Sequence, residues 1–111
     1  MKKFDHELII CIVNEGFSEL VMEAAKDVGA KGGTVVRARG TANKESEELF
    51  KITIEPKKEM VMILVPTSIK ENVLKMLYEK VGLQTPGQGI AFSMPVDNVI
   101  GLTEENQDNK K

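Results

Sequence analysis

The chain has 111 residues, which allows one domain because typical domains contain ~100–150 residues. Hydrophobic residues make up 41% and charged residues 29% of the sequence, which is typical of a globular domain and excludes a disordered chain. The net charge of −2 argues against general nucleic-acid binding, and the single cysteine and single histidine exclude an internal disulfide, a multi-cysteine zinc site and a two-histidine metal motif.

The sequence also argues against insertion into a membrane. No apolar run approaches the ~20 residues of a membrane span. Asp5, His6 and Glu7 stand where a signal peptide needs apolar residues, so we expect a cytoplasmic protein.

The first predicted elements are a buried strand and an amphipathic helix. The strand, Leu8–Val13, is apolar at every position, so both of its faces are expected to be buried. In the helix predicted over Ser18–Val28, the Ser18 hydroxyl is expected to cap the first turn. Gly29 is expected to end this helix in the left-handed conformation.

The middle of the chain predicts two strands around a polar loop. Thr34–Arg39 is predicted to be a short strand, and Gly40–Leu49 a loop. A strand region follows at Phe50–Ile54 and Met60–Val65, with Pro56 marking a bulge or an edge. The charged loop is interpreted either as a solvated hairpin or as a mobile effector, and composition alone favours the hairpin.

The last third of the chain predicts a second helix and a last strand. The helix is predicted over Ile69–Val81, with Ser68 and Glu71 as an S-x-x-E capping box. The last long strand is predicted over Ile90–Met94 and is expected to stop at Pro95.

The predicted order of elements is βαββαβ. This order is typical of an α+β, ferredoxin-like fold, in which two helices lie on one face of a four-stranded antiparallel sheet. Because two strands are apolar on both faces, the open face of the sheet is expected to be buried by identical copies of the chain. We predict a homo-oligomer of a domain spanning residues 1–102, followed by a mobile polar tail at residues 103–111.

Two short motifs could bind an anion, but the sequence signal of each is weak. The G-x-G within Thr85–Gly89 could turn backbone amides towards a phosphate, although such a turn before a strand is usually only a turn. Lys57 and Lys58 are interpreted first as a solvated strand edge and second as anion contacts. No nucleophile–base pair can be proposed, so we predict no catalytic activity.

Several segments, taken in order, resemble the P-II nitrogen regulatory signal proteins. MKKF opens the first strand, GGTVVRARG is similar to the strand that leads into that family's effector loop, and IEPKKEMVMILVP is similar to its third strand. TPGQGIAFSMPVDNVI is similar to its nucleotide loop and last strand. This last stretch is the most specific, because the G-x-G, Phe92, Pro95, Val96 and Asp97 align without gaps.

The resemblance implies a homotrimer that binds ATP or ADP in clefts between subunits. In that family the nucleotide and a small metabolite, typically 2-oxoglutarate, set the conformation of an effector loop, here residues 40–49. The loop would then regulate a target enzyme, transcription regulator or membrane transporter without catalysis. The implied nucleotide-site residues, by position in the motifs, are Thr34, Gly40, Lys57, Gly87, Gln88 and Gly89.

The chain departs from the family's pattern at three positions that are usually basic. These positions hold Ile90, Gly101 and Thr103. Each lost charged contact forfeits ~1.5–3 kcal/mol, so ATP is expected to bind weakly unless another cation replaces them. The residues that could do so are Arg37, Arg39 and Lys58. An adenine nucleotide with fewer phosphates, such as AMP, or another small anion, is the alternative ligand.

Two other functions remain open. A structural or metal-tolerance-type ferredoxin-like trimer, without a nucleotide switch, would bind metal through His6, Cys11 or acidic residues at the subunit interface. An acylphosphatase-like enzyme is disfavoured, because Asn14–Phe17 stands where that chemistry requires an arginine-bearing phosphate loop.

Overall fold

The computed structural model describes residues 5–41 and 56–101. The elements are, in chain order, β1 (His6–Asn14), α1 (Ser18–Asp27), β2 (Thr34–Arg39), β3 (Lys57–Pro66), a 3-10 turn (Thr67–Ile69), α2 (Lys70–Val81) and β4 (Ile90–Val96). This is the βαββαβ order predicted from the sequence. The predictions of a loop over residues 42–49, a strand at Phe50–Ile54 and a tail at residues 103–111 lie outside the described residues.

The strands form one antiparallel, four-stranded sheet in the order β2-β3-β1-β4. The two most apolar strands, β1 and β3, are therefore central, and β2 and β4 are the edges. The two helices pack against each other on one face of the sheet. The predicted ferredoxin-like α+β fold is confirmed.

The hydrophobic core lies between the sheet and the helices. It takes every second residue of the central strands, because successive side chains of a strand point to opposite faces. Fully burying one such aliphatic side chain contributes roughly 1.5–3 kcal/mol. The core residues of the strands and helices are Ile9, Cys11, Val13, Val21, Ala24, Ala25, Val61, Ile63, Val65, Val73, Leu77 and Val81.

The start of α1 differs from the prediction. Ser18 is the first residue of the helix, and Phe17 occupies the N-cap position without a side-chain capping bond. The cap comes instead from β3, where Glu59 Oε1 accepts hydrogen bonds from Gly16 N at 3.2 Å and Ser18 N at 3.1 Å. The predicted end is confirmed, since Gly29 has a φ of 112° directly after the last turn.

The start of α2 also differs. A 3-10 turn precedes the helix, and Ile69 at the N-cap makes no side-chain capping bond. The predicted capping box of Ser68 and Glu71 therefore does not form, and the Glu71 carboxylate lies 3.1 Å from Lys70 Nζ.

The last strand continues past the predicted stop. β4 includes Pro95, which lies opposite Glu7, and ends at Val96. Proline lacks an N–H donor, but an edge strand tolerates it because one side of the strand has no ladder to complete. No helix in the described ranges is long and apolar enough to cross a membrane.

Candidate functional site

Backbone amides of the loop at residues 85–89 form hydrogen bonds within the fold. Gln88 N donates to Thr85 O at 2.9 Å, and Gly89 N donates to Val81 O at 2.6 Å. These are two of the amides that the family resemblance assigns to phosphate. An anion at this loop therefore has to compete with both bonds or bind beside them.

Close packing requires a glycine at position 89 and leaves little room for a side chain at position 87. A Cβ on Gly89 would lie 2.5 Å from Val81 O and 2.8 Å from Val13 Cγ1. A Cβ on Gly87 would lie 3.3 Å from Val81 Cβ and 3.4 Å from the Phe17 ring. The glycine at position 89 thus has a structural cause that is independent of any ligand.

Asn14, at the end of β1, connects this loop to β3. Asn14 Nδ2 donates to Pro86 O at 3.0 Å, and Asn14 N donates to Gly87 O at 2.9 Å. Asn14 Oδ1 accepts from Lys58 Nζ at 2.7 Å. No local pattern predicts this role of Asn14, because it lies 44 positions from Lys58 and 72 from Pro86.

Gly40 closes the β2–β3 connection at the same end of the sheet. Its amide donates to Pro56 O at 2.8 Å. A Cβ on Gly40 would lie 3.3 Å from Lys58 Cε, so the Lys58 side chain passes directly beside this pair. We call the Gly40–Pro56 pair the stem.

The two adjacent lysines lie on opposite faces of β3. Lys57 is exposed and shares the helix side of the sheet with Glu59, whereas Lys58 is half-buried on the other face beside Asn14. The resemblance implies a site role for Lys57. In this chain the lysine joined to the 85–89 loop through Asn14 is Lys58.

Thr34 lies far from the other implied site residues. It starts the edge strand β2 in the row Thr34–Met62–Ile10–Phe92. Adjacent strands are ~4.8 Å apart, so ~14 Å separates Thr34 from the opposite edge at β4. One chain therefore does not bring Thr34 to the loop at 85–89, and a site using both needs two copies of the chain.

The face of the sheet opposite the helices is apolar. On β4, Phe92 and Met94 are each 43% exposed. Contiguous exposed apolar surface of this kind marks an interaction site. The open face, as we call it, consists of Leu8, Ile10, Ile12, Val36, Met60, Met62, Leu64, Ile90, Phe92 and Met94.

Cys11 lies on the helix side, in the lining of an apolar cavity of about 340 Å³ between α2 and β4. Burial raises the pKa of the Cys11 thiol to about 11, so it carries a proton at neutral pH. A protonated, buried thiol is a poor metal ligand. Within residues 5–41 and 56–101, no three His, Cys, Asp or Glu side chains are grouped closely enough to hold a metal ion.

Comparison with known proteins identifies the family. The family model of the nitrogen regulatory protein P-II matches residues 6–106. The chain belongs to the P-II family. The resemblance seen in the sequence is therefore confirmed, and P-II proteins are in general non-catalytic regulators of signal transduction.

Three solved structures share the fold of this P-II family member. Arabidopsis thaliana PII bound to citrate has a TM-score of 0.69 at 23% identity, with 91% of this chain and 83% of that chain covered. A PII-like signaling protein from Thermus thermophilus has a TM-score of 0.64 at 20% identity, with 86% and 90% covered. A DUF3240 family protein from Shewanella baltica has a TM-score of 0.67 at 11% identity, with 90% and 99% covered. No curated protein sequence matches.

Proposed function

We propose that this P-II family protein is a cytoplasmic, non-catalytic regulator that works as a homotrimer. It binds a small anionic effector, an adenine nucleotide, at clefts between subunits, and it regulates a partner enzyme, transcription regulator or transporter through the loop at residues 40–49. The match of the P-II family over residues 6–106 carries this proposal.

The open face supports the trimer. One subunit leaves Ile90, Phe92 and Met94 between 43% and 50% exposed, next to the apolar residues of β1 and β3. Burying this surface against other copies is favourable by roughly 25 cal/mol per Å². Assembly also supplies the second chain that a site combining Thr34 with the 85–89 loop requires.

The end of the sheet at Asn14 supports the ligand site. Gly40, Lys57 and the loop containing Gly87, Gln88 and Gly89 all lie at this end. Ile90 follows the loop where a family member usually has a lysine, so one charged contact to the phosphates is lost. We therefore expect AMP or ADP to bind more tightly than ATP.

Light scattering and calorimetry test the proposal together. The purified protein is expected to have a trimeric mass at micromolar concentration and to release heat with AMP or ADP. A folded trimer without heat from AMP, ADP or ATP would exclude the nucleotide, and a monomer would exclude the intersubunit cleft as well. Citrate belongs in the same titration series, because one PII of the same fold is bound to it.

A further inference from the structure

We propose that Asn14 is a positioning residue that couples the 85–89 loop to the stem at Gly40–Pro56. The inference rests on the proposed function, in which a ligand at the loop changes what a partner recognises. It assigns that coupling to a residue outside the glycine motif.

The first step of the coupling is the contact between Asn14 and the loop. The side-chain nitrogen Nδ2 of Asn14 donates to Pro86 O at 3.0 Å, and the backbone nitrogen of Asn14 donates to Gly87 O at 2.9 Å. A ligand that moves the peptide groups of Pro86 and Gly87 therefore has to move Asn14 or break two hydrogen bonds.

The second step is the contact between Asn14 and Lys58. The bond from Lys58 Nζ to Asn14 Oδ1 is short, at 2.7 Å, and its donor is charged. The amide group of Asn14 is planar, so its oxygen and nitrogen turn together. A rotation that follows Pro86 consequently pulls the acceptor away from Lys58.

The third step is the contact between Lys58 and the stem. Gly40 lacks a side chain, and the position that its Cβ would take is 3.3 Å from Lys58 Cε. The anchored lysine therefore covers the hydrogen bond from Gly40 N to Pro56 O, which is 2.8 Å long. Release of Lys58 exposes this bond to water and makes opening of the stem easier.

Two substitutions separate the bonds of Asn14. Asn14→Ala removes both side-chain bonds, whereas Asn14→Asp keeps an acceptor for Lys58 and loses the donor to Pro86. Asn72→Ala, at an exposed position of α2, is the matched control. The readout is hydrogen exchange of the Gly40 amide in the full chain, measured by NMR without nucleotide and with ADP at a concentration that saturates each variant. Amides of β1 and β3 report any global loss of stability.

In the wild type and in Asn72→Ala, ADP is expected to change the exchange rate of Gly40 about tenfold, a usual size for coupling between two sites. In both Asn14 variants the exchange rate of the Gly40 amide is expected to be the same with and without ADP. Without nucleotide, Asn14→Ala is expected to exchange Gly40 faster than the wild type, while Asn14→Asp stays close to it because Lys58 remains anchored.

The outcomes distinguish this inference from the proposed function. An equal response to ADP in the wild type and Asn14→Ala overturns the coupling and leaves the nucleotide site intact. If ADP does not bind the wild type, the nucleotide proposal fails. The coupling is then tested by the Gly40 exchange rates of the wild type and Asn14→Ala without nucleotide. An unchanged Gly40 rate in Asn14→Ala then overturns it.

Discussion

At the residue scale, Gly89 lies in close contact with two neighbouring segments. An alanine there would place its Cβ 2.5 Å from Val81 O and 2.8 Å from Val13 Cγ1, so the loop or the end of β1 has to shift. We expect Gly89→Ala to lower the free energy of unfolding by ~1–3 kcal/mol, as overpacking does in other cores. Gly32→Ala is the control, because no atom lies within 4 Å of its added Cβ. Urea unfolding measures both, and equal stability of the two variants would contradict the packing argument.

The buried Cys11 thiol makes the stability of the protein depend on pH in the alkaline range. Its pKa is raised to about 11 by burial, from 9.0, so the unfolded chain loses the thiol proton before the folded chain does. The folded state then holds more protons between these values, and stability falls as pH rises. We expect the wild type to lose roughly 2 kcal/mol more than Cys11→Ala between pH 9 and pH 11 in urea unfolding. If the stability of the two proteins fell equally between pH 9 and pH 11, the pKa of the thiol would not differ between the folded and the unfolded chain.

At the scale of elements, the helix ends show where local patterns fail. Ser18 and Ser68 have the sequence context of caps, yet neither α1 nor α2 has a side-chain capping bond from its N-cap residue. For α1 the acceptor comes from Glu59 on β3, more than forty positions away in the chain. Capping preferences depend on a few neighbouring residues, so they cannot anticipate an acceptor supplied by tertiary packing.

Glu59 is therefore expected to stabilise the junction of β3 with α1. Glu59→Ala leaves the amides of Gly16 and Ser18 without their acceptor and should cost ~1 kcal/mol, the usual size of a lost cap. Glu59→Gln keeps a neutral acceptor and should cost less. Thermal and urea unfolding measure the difference, with Glu23→Ala, at an exposed position of α1, as the control. A loss in the control as large as that of Glu59→Ala would refute the cap.

At the scale of the whole molecule, we expect the open face to determine the proposed assembly. A charge at Phe92 would have to be buried in a trimer, but it stays hydrated in a single chain, where Phe92 is 43% exposed. We expect Phe92→Glu to reduce the mass in light scattering from trimer to monomer while far-ultraviolet circular dichroism is preserved. Tyr78→Glu is the control, since Tyr78 is 71% exposed on α2, away from the open face, and should remain trimeric. A trimeric Phe92→Glu protein would place the interface elsewhere.

The sequence by itself determined the order of the elements and the two-sided apolar character of the central strands. The reason is that strand alternation and helical periodicity depend on nearby residues, as in Thr34–Arg39, whose predicted bounds match β2. Several segments in order, of which residues 85–100 are the most specific, also indicated the P-II family.

Only the tertiary structure decided how the candidate site is built. Lys57 and Lys58 lie on opposite faces of the sheet, and the amides of Gln88 and Gly89 form hydrogen bonds inside the fold. Asn14 forms hydrogen bonds with Pro86 and Lys58. These contacts link residues far apart in the chain, and a hydrogen bond forms only when both groups reach one place at a suitable angle. That placement depends on how β1, β3 and the 85–89 loop pack together, which no local pattern specifies.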